Sequence, residues 1–143
     1  MAHSRLFQKE PIVEKGAEND LLGRYPELFR QSKQNPVGVG YWGVECEVGW
    51  LPLIDRLCSK IQNRTNNLKS PQVTISKIKE KDGSLRISQL DADEYTKGLI
   101  DMAQDYSSCV CELCGCPGSK KKLLLGWIKT LCEGCETKLN QGI

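Results

Sequence analysis

Two C-x2-C pairs constrain this chain more than anything else in it. Cys111-Glu112-Leu113-Cys114 is followed, after seventeen residues, by Cys132-Glu133-Gly134-Cys135. Cysteines three apart on a tight turn can aim both sulfurs at one ion about 2.3 Å away, and two such turns complete a tetrahedron of thiolates. Gly115 follows the first pair, where a positive φ lets the turn close behind the metal. The pattern predicts one zinc ion held by Cys111, Cys114, Cys132 and Cys135. Such a site is closed to water, so the ion serves folding rather than chemistry. Cys109 and Cys116 stand close enough in sequence to replace a neighbour. C-x-C is a less usual ligand spacing, and both are read as spectators.

The chain has 143 residues and eight cysteines. That length can bury a core without help from a metal. Residues 1–11 are polar and lack the apolar stretch of a secretory leader. A reducing, cytoplasmic setting is therefore expected, with metal rather than disulfides as the use of the cysteines. No apolar run approaches the roughly 18 residues of a membrane helix, so no membrane partner is expected. The formal charge is +2. Four thiolates and one zinc bring it to about zero, which argues against bulk attraction to nucleic acid.

Along the chain, Asn19 or Asp20 is placed to cap a helix from Leu21, which Pro26 interrupts. Residues 34–49 read as a glycine-rich loop. Trp50, Leu53, Ile54, Leu57, Cys58 and Ile61 repeat with the helical period, and the helix is expected to fade over 63–67. Gln72–Lys79 and Ser84–Leu90 read as strands joined by the turn Lys81-Asp82-Gly83-Ser84. Asp91 or Asp93 then caps a helix whose apolar face is Tyr95, Leu99, Met102, Ala103 and Tyr106. Leu123–Ile128 is expected to form the strands or a core segment of the metal module. The resulting fold is α+β. Helices pack on a small antiparallel β-hairpin in residues 1–108, and a four-cysteine zinc ribbon occupies 109–143.

Other signals are weaker. Gly38-x-Gly40-x-x-Gly43 has the letters of a dinucleotide fingerprint but neither the preceding strand nor the following helix. The same loop carries Tyr41 and Trp42, which are candidate anchors for a partner, or a cover for the core. Lys120, Lys121 and Lys122, with Lys129 and Lys138, form the main positive cluster and are read mainly as a solvated turn. His3 is the single histidine, so no Ser-His or Cys-His pair is available. Asp91, Asp93 and Glu94 form an acidic cluster, for which helix capping is the simple account.

Several of these residues also carry a resemblance. Glu45-Cys46, Gly49-Trp50 and Leu53–Cys58 come first. Ile78-Lys79-Glu80-Lys81 with Gly83, Leu85 and Arg86 follows. Cys111–Cys114 with Gly115, Pro117 and Gly118, and Gly126-Trp127 with Thr130-Leu131-Cys132, complete the set. In that order, over roughly residues 20–135, they resemble a family of small phage- and prophage-encoded proteins with a C-terminal zinc ribbon and no assigned activity. The family commonly has Gly-Asp where this chain has Glu47-Val48, and aromatic residues near Asp82 and Ile87. The resemblance implies a phage context. In that context the chain is expected to be a non-enzymatic zinc-binding protein acting on a host macromolecule, such as a defence or transcription component. The alternatives are a nucleic-acid-binding regulator using the ribbon and its lysines, and an enzyme using carboxylates such as Asp91 and Asp93.

Overall fold

A computed structural model describes residues 15–30 and 43–142. Helix α1 spans Lys15–Arg24 and is followed by a turn through Pro26. Asn19 and Asp20 lie inside α1 rather than at its cap. Strand β1 (Val44–Glu45) and a 3-10 turn (Val48–Trp50) lead into α2, Leu51–Leu68. Strands β2 (Thr74–Lys81) and β3 (Ser84–Leu90) precede α3 (Glu94–Ser107). The C-terminal module contributes β4 (Ser119–Lys122), β5 (Ile128–Leu131) and α4 (Glu133–Gln141).

The first sheet has the order β1-β2-β3. β1 runs parallel to β2, Val44 opposite Ile78, and β2 runs antiparallel to β3, Lys81 opposite Ser84. Asp82 and Gly83 both have positive φ, 51° and 82°, as a two-residue turn between twisted strands requires. Of the expected face, Trp50 just before α2 and Ile54, Leu57, Cys58 and Ile61 within it are buried, and Leu53 is half-buried against them. They meet Val44, Ile75, Ile78 and Leu85 of the sheet in one core. The helix does not fade at 63–67. Thr65 is buried and donates its hydroxyl to the Ile61 carbonyl at 3.0 Å. Left-handed Lys69 (φ 51°) ends the helix.

Helix α3 is rotated so that only part of the expected face is inside: Ala103 is buried and Leu99 is half-buried against the core. Its buried residues are Thr96, Ile100, Ala103 and Ser107, whereas Tyr95, Met102 and Tyr106 are exposed. The cause is polar. β3 is an edge strand whose outward N–H groups need acceptors. Ser107 Oγ accepts from Leu85 N at 2.9 Å, and Gln104 Oε1 accepts from Ile87 N at 2.8 Å. Covering the edge fixes the rotation of the helix and leaves Tyr95, Met102 and Tyr106 outside.

The lysine run and the leucine run also depart from expectation. Lys120–Lys122 lies in β4, paired antiparallel with β5. Leu123–Trp127 forms the connection between the two strands. Of that run only Leu123 is buried; Leu124, Leu125, Trp127 and Ile128 are exposed.

Candidate metal centre

The C-terminal module begins with a backbone knuckle. Gly115 N donates to the Cys111 carbonyl at 2.9 Å, and Gly115 has φ 83°. The loop therefore folds back tightly enough to aim Cys111 and Cys114 in one direction. The second pair is set by a helix end. Cys132 is the N-cap of α4, and its sulfur accepts from Cys135 N at 3.4 Å.

The sulfurs of Cys111, Cys114, Cys132 and Cys135 all lie within 4.8 Å of one another. Those of Cys114 and Cys132 are 3.7 Å apart. Sulfurs at two corners of a tetrahedron around an ion 2.3 Å away would be about 3.8 Å apart. The group thus has the dimensions to hold a metal ion. Among the described residues it is the one set of three or more His, Cys, Asp or Glu side chains so converged. Cys109 and Cys116, both exposed, stand outside it.

The thiols differ in environment. The backbone N–H of Cys135 draws Cys132 down to about 7, since an N–H at a helix start favours the thiolate. Burial raises Cys111, and burial together with the neighbouring thiols raises Cys135. A bound divalent ion overrides these differences, because a coordinated thiol is deprotonated outright.

The module is seated on the first sheet by a polar seam, which sequence reasoning missed. Glu112, between two of the cysteines, is buried. Its Oε2 accepts from Glu47 N at 3.0 Å, and its carbonyl accepts from Gly49 N at 2.7 Å. Trp50 Nε1 donates to the Val110 carbonyl at 2.8 Å. A Cβ on Gly49 would lie 2.3 Å from the Cys111 carbonyl oxygen, so only glycine permits this approach. On the other side Thr130 Oγ1 donates to the Gly83 carbonyl.

Lys129 is the centre of the seam. It is 2% exposed, with Nζ 2.9 Å from Glu80 Oε1 and 3.5 Å from Glu112 Oε1. Burial works against its charge, but Glu112 and Glu80 outweigh that and hold the ammonium above the usual lysine range. Burial pushes Glu112 up to about 7, against the pull of Lys129. Lys129 is therefore no part of a surface patch. Lys121 is likewise engaged, 3.7 Å from Glu136. No signal in the sequence marks this pairing, because Glu112 and Lys129 of β5 meet only in the fold. In the same seam, motifs that are far apart in sequence meet. Gly49 touches Cys111-Glu112, and Gly83 touches Thr130.

The remaining candidates are dispersed. Cys58 is in the core, where burial raises it to about 12. Cys46 is buried, and burial followed by the Glu112 and Glu47 carboxylates keeps it a thiol. Asp93 caps α3 by accepting from Thr96 N at 2.8 Å and pairs with Arg64 at 3.1 Å. With Asp91 it borders a cleft of about 220 Å³ between α2 and α3. Tyr41 and Trp42 lie outside the described residues. Comparison with protein-family models, curated proteins and solved structures gives no match.

Proposed function

We propose that the four-cysteine group holds one structural zinc ion in a zinc ribbon. We further propose that the chain acts without catalysis, by binding a macromolecule of a bacterial host. The observation that carries the zinc assignment is the convergence of the four sulfurs at tetrahedral dimensions. Thiolate softness favours zinc over magnesium or calcium. The phage setting, and a defence or transcription component as the target, follow from the resemblance. The exposed stripe Tyr95, Met102 and Tyr106 on α3 supports the binding role, because it is a row of large side chains that the fold leaves at the surface. The nucleic-acid alternative draws less support, since Lys129 and Lys121 are already paired.

Elemental analysis of the purified chain tests the ion. We expect near one equivalent of zinc, lost in Cys132→Ser and kept in Cys109→Ser and Cys116→Ser. Full zinc in the Cys132 variant refutes the ligand set. For the partner, recovery from host lysate is compared for the native chain, Trp42→Ala and the Tyr95/Met102/Tyr106 alanine triple, with and without nuclease. Recovery that vanishes with nuclease establishes the nucleic-acid alternative instead.

A further inference from the structure

The connection between β4 and β5 departs from the usual chemistry of surface turns. Leu123 N donates to the Trp127 carbonyl at 2.7 Å, and Gly126 N donates to the Leu123 carbonyl at 2.8 Å. Leu124 and Leu125 are therefore the central residues of a turn. Such positions favour Gly, Asn, Asp, Ser or Pro, which suit the backbone. Here Gly126 supplies the positive φ, 89°, and the backbone has no need of leucine. Leu124 is 71% exposed, the most of any large apolar residue described, and Leu125 is 57% exposed. Trp127 and Ile128 beside them are 43% and 40% exposed. At the turn itself no atom lies within 4 Å of a Cβ built on Gly126, while Leu125 and Trp127 border a cleft shared with the β2–β3 turn.

Charge is arranged along the same axis. Lys120 and Lys122 are exposed on one side of β4, while Lys121 on the other side meets Glu136. At about 3.3 Å per strand residue, these two lysines sit roughly 3–10 Å behind Leu123. An interfacial segment enters a bilayer by about 5–10 Å, from the phosphates to the acyl boundary. Tryptophan favours that boundary.

We propose that this tip inserts into the headgroup region of an anionic lipid surface. Leu124, Leu125 and Trp127 enter the apolar boundary, and Lys120 and Lys122 meet lipid phosphates. The contact is peripheral; no described helix is long and apolar enough to cross a membrane. It is independent of the host-partner proposal above. Leucines at the apex favour lipid over nucleic acid, because bases are gripped by stacking rings, which leucine does not provide. Two carboxylates border the cleft beside Leu125 and Trp127. Glu80 is engaged by Lys129 and by Gly83 N. Asp82 is exposed and opposes the attraction.

Sedimentation of the zinc-loaded full chain with vesicles tests this. One set is phosphatidylcholine alone; the other contains phosphatidylglycerol as well. We expect binding to the mixed vesicles. Leu124→Ser with Leu125→Ser should weaken it about tenfold or more. Lys120→Gln and Lys122→Gln should each cost about fivefold, and only on the anionic vesicles. Asp82→Asn should strengthen binding. Quenching by brominated lipid that is lost in Trp127→Phe places the ring in the bilayer. Zinc content and helical circular dichroism confirm that each variant is folded. The proposal is overturned by any of four results. These are no binding to anionic vesicles, binding indifferent to the two leucines, self-association that the leucine variant abolishes, or DNA binding that depends on the lysines while vesicles are ignored.

Discussion

The two halves of this molecule hold their shape by different means. Around α2, the first sheet and α3, burial does the work, with Trp50, Phe29, Ile54, Ile61, Ile75, Ile78 and Leu85 all closed from solvent. In the C-terminal module the buried apolar cluster among the described residues is Cys111, Leu123, Leu131 and Leu139, and one of these is a cysteine of the metal group. Ordering each residue costs on the order of 1–2 kcal/mol of backbone entropy. Three buried leucines offset little of that for a segment this long. A core can be built from many interchangeable contacts, but a module with so few leans on the seam with its neighbour and, on the zinc assignment proposed above, on the ion.

Removing the metal is the strongest way to break this contrast. Structural zinc is worth about 10–16 kcal/mol of folding free energy in small modules at neutral pH. Hydrogen exchange after chelation should show β5 and α4 losing protection while α2 and the β2–β3 pair keep theirs. Uniform loss across the chain would make the two halves one cooperative unit.

Lys129→Met is the next largest effect. It leaves Glu112 and Glu80 without their cation, and breaking a buried pair in this way costs about 3–5 kcal/mol. Chemical denaturation should register it, whereas Lys120→Met should stay within about 0.5 kcal/mol. Equal effects would mean that the seam does not couple the halves.

Gly49→Ala pushes a methyl into the Cys111 and Glu112 backbone and should destabilise by about 1–3 kcal/mol. Exchange at Glu112 and Gly115 should rise with it; silence there would place the damage in α2 alone.

The smallest effect is a pH dependence confined to the first half. The backbone N–H of Thr96 lowers Asp93 to about 2. A lowered carboxyl contributes stability above its unfolded value of about 3.9 and loses it as pH falls toward the folded value. Protection of the first turn of α3 should therefore fall between about pH 4 and pH 2. Asp93→Asn, which still caps, should remove that step.

Helix α2 and the metal group were legible because each depends on spacing alone. Six apolar side chains at helical intervals and two C-x2-C pairs declare themselves without tertiary information. The face of α3 was not legible. Of the stripe Tyr95, Leu99, Met102, Ala103 and Tyr106, only Ala103 and part of Leu99 go inside, because Ser107 and Gln104 are drawn inward by the outward N–H groups of β3. Hydropathy ranks a serine as outward, and only the edge strand supplies the reason to bury it. Lys129 misled for the same reason. Its charge reads as surface until Glu80 and Glu112 are known to converge on it. Leu123–Ile128 reads as strands or a core segment; Ile128 does open β5 and Leu123 is buried, but between them Leu124–Trp127 make an exposed turn closed by Gly126.

Cys132 belongs at once to the metal group and to the start of α4. Beginning a helix is the unfavourable step, with a nucleation factor on the order of 10⁻³. An ion that fixes the Cys132 sulfur also fixes the acceptor for Cys135 N, so capture of the metal and nucleation of α4 become a single event. On the zinc assignment proposed above, α4 is expected to form as the ion arrives rather than before it. In rapid mixing with zinc, the rise of α4 helicity should follow the rate of metal binding rather than a rate of its own.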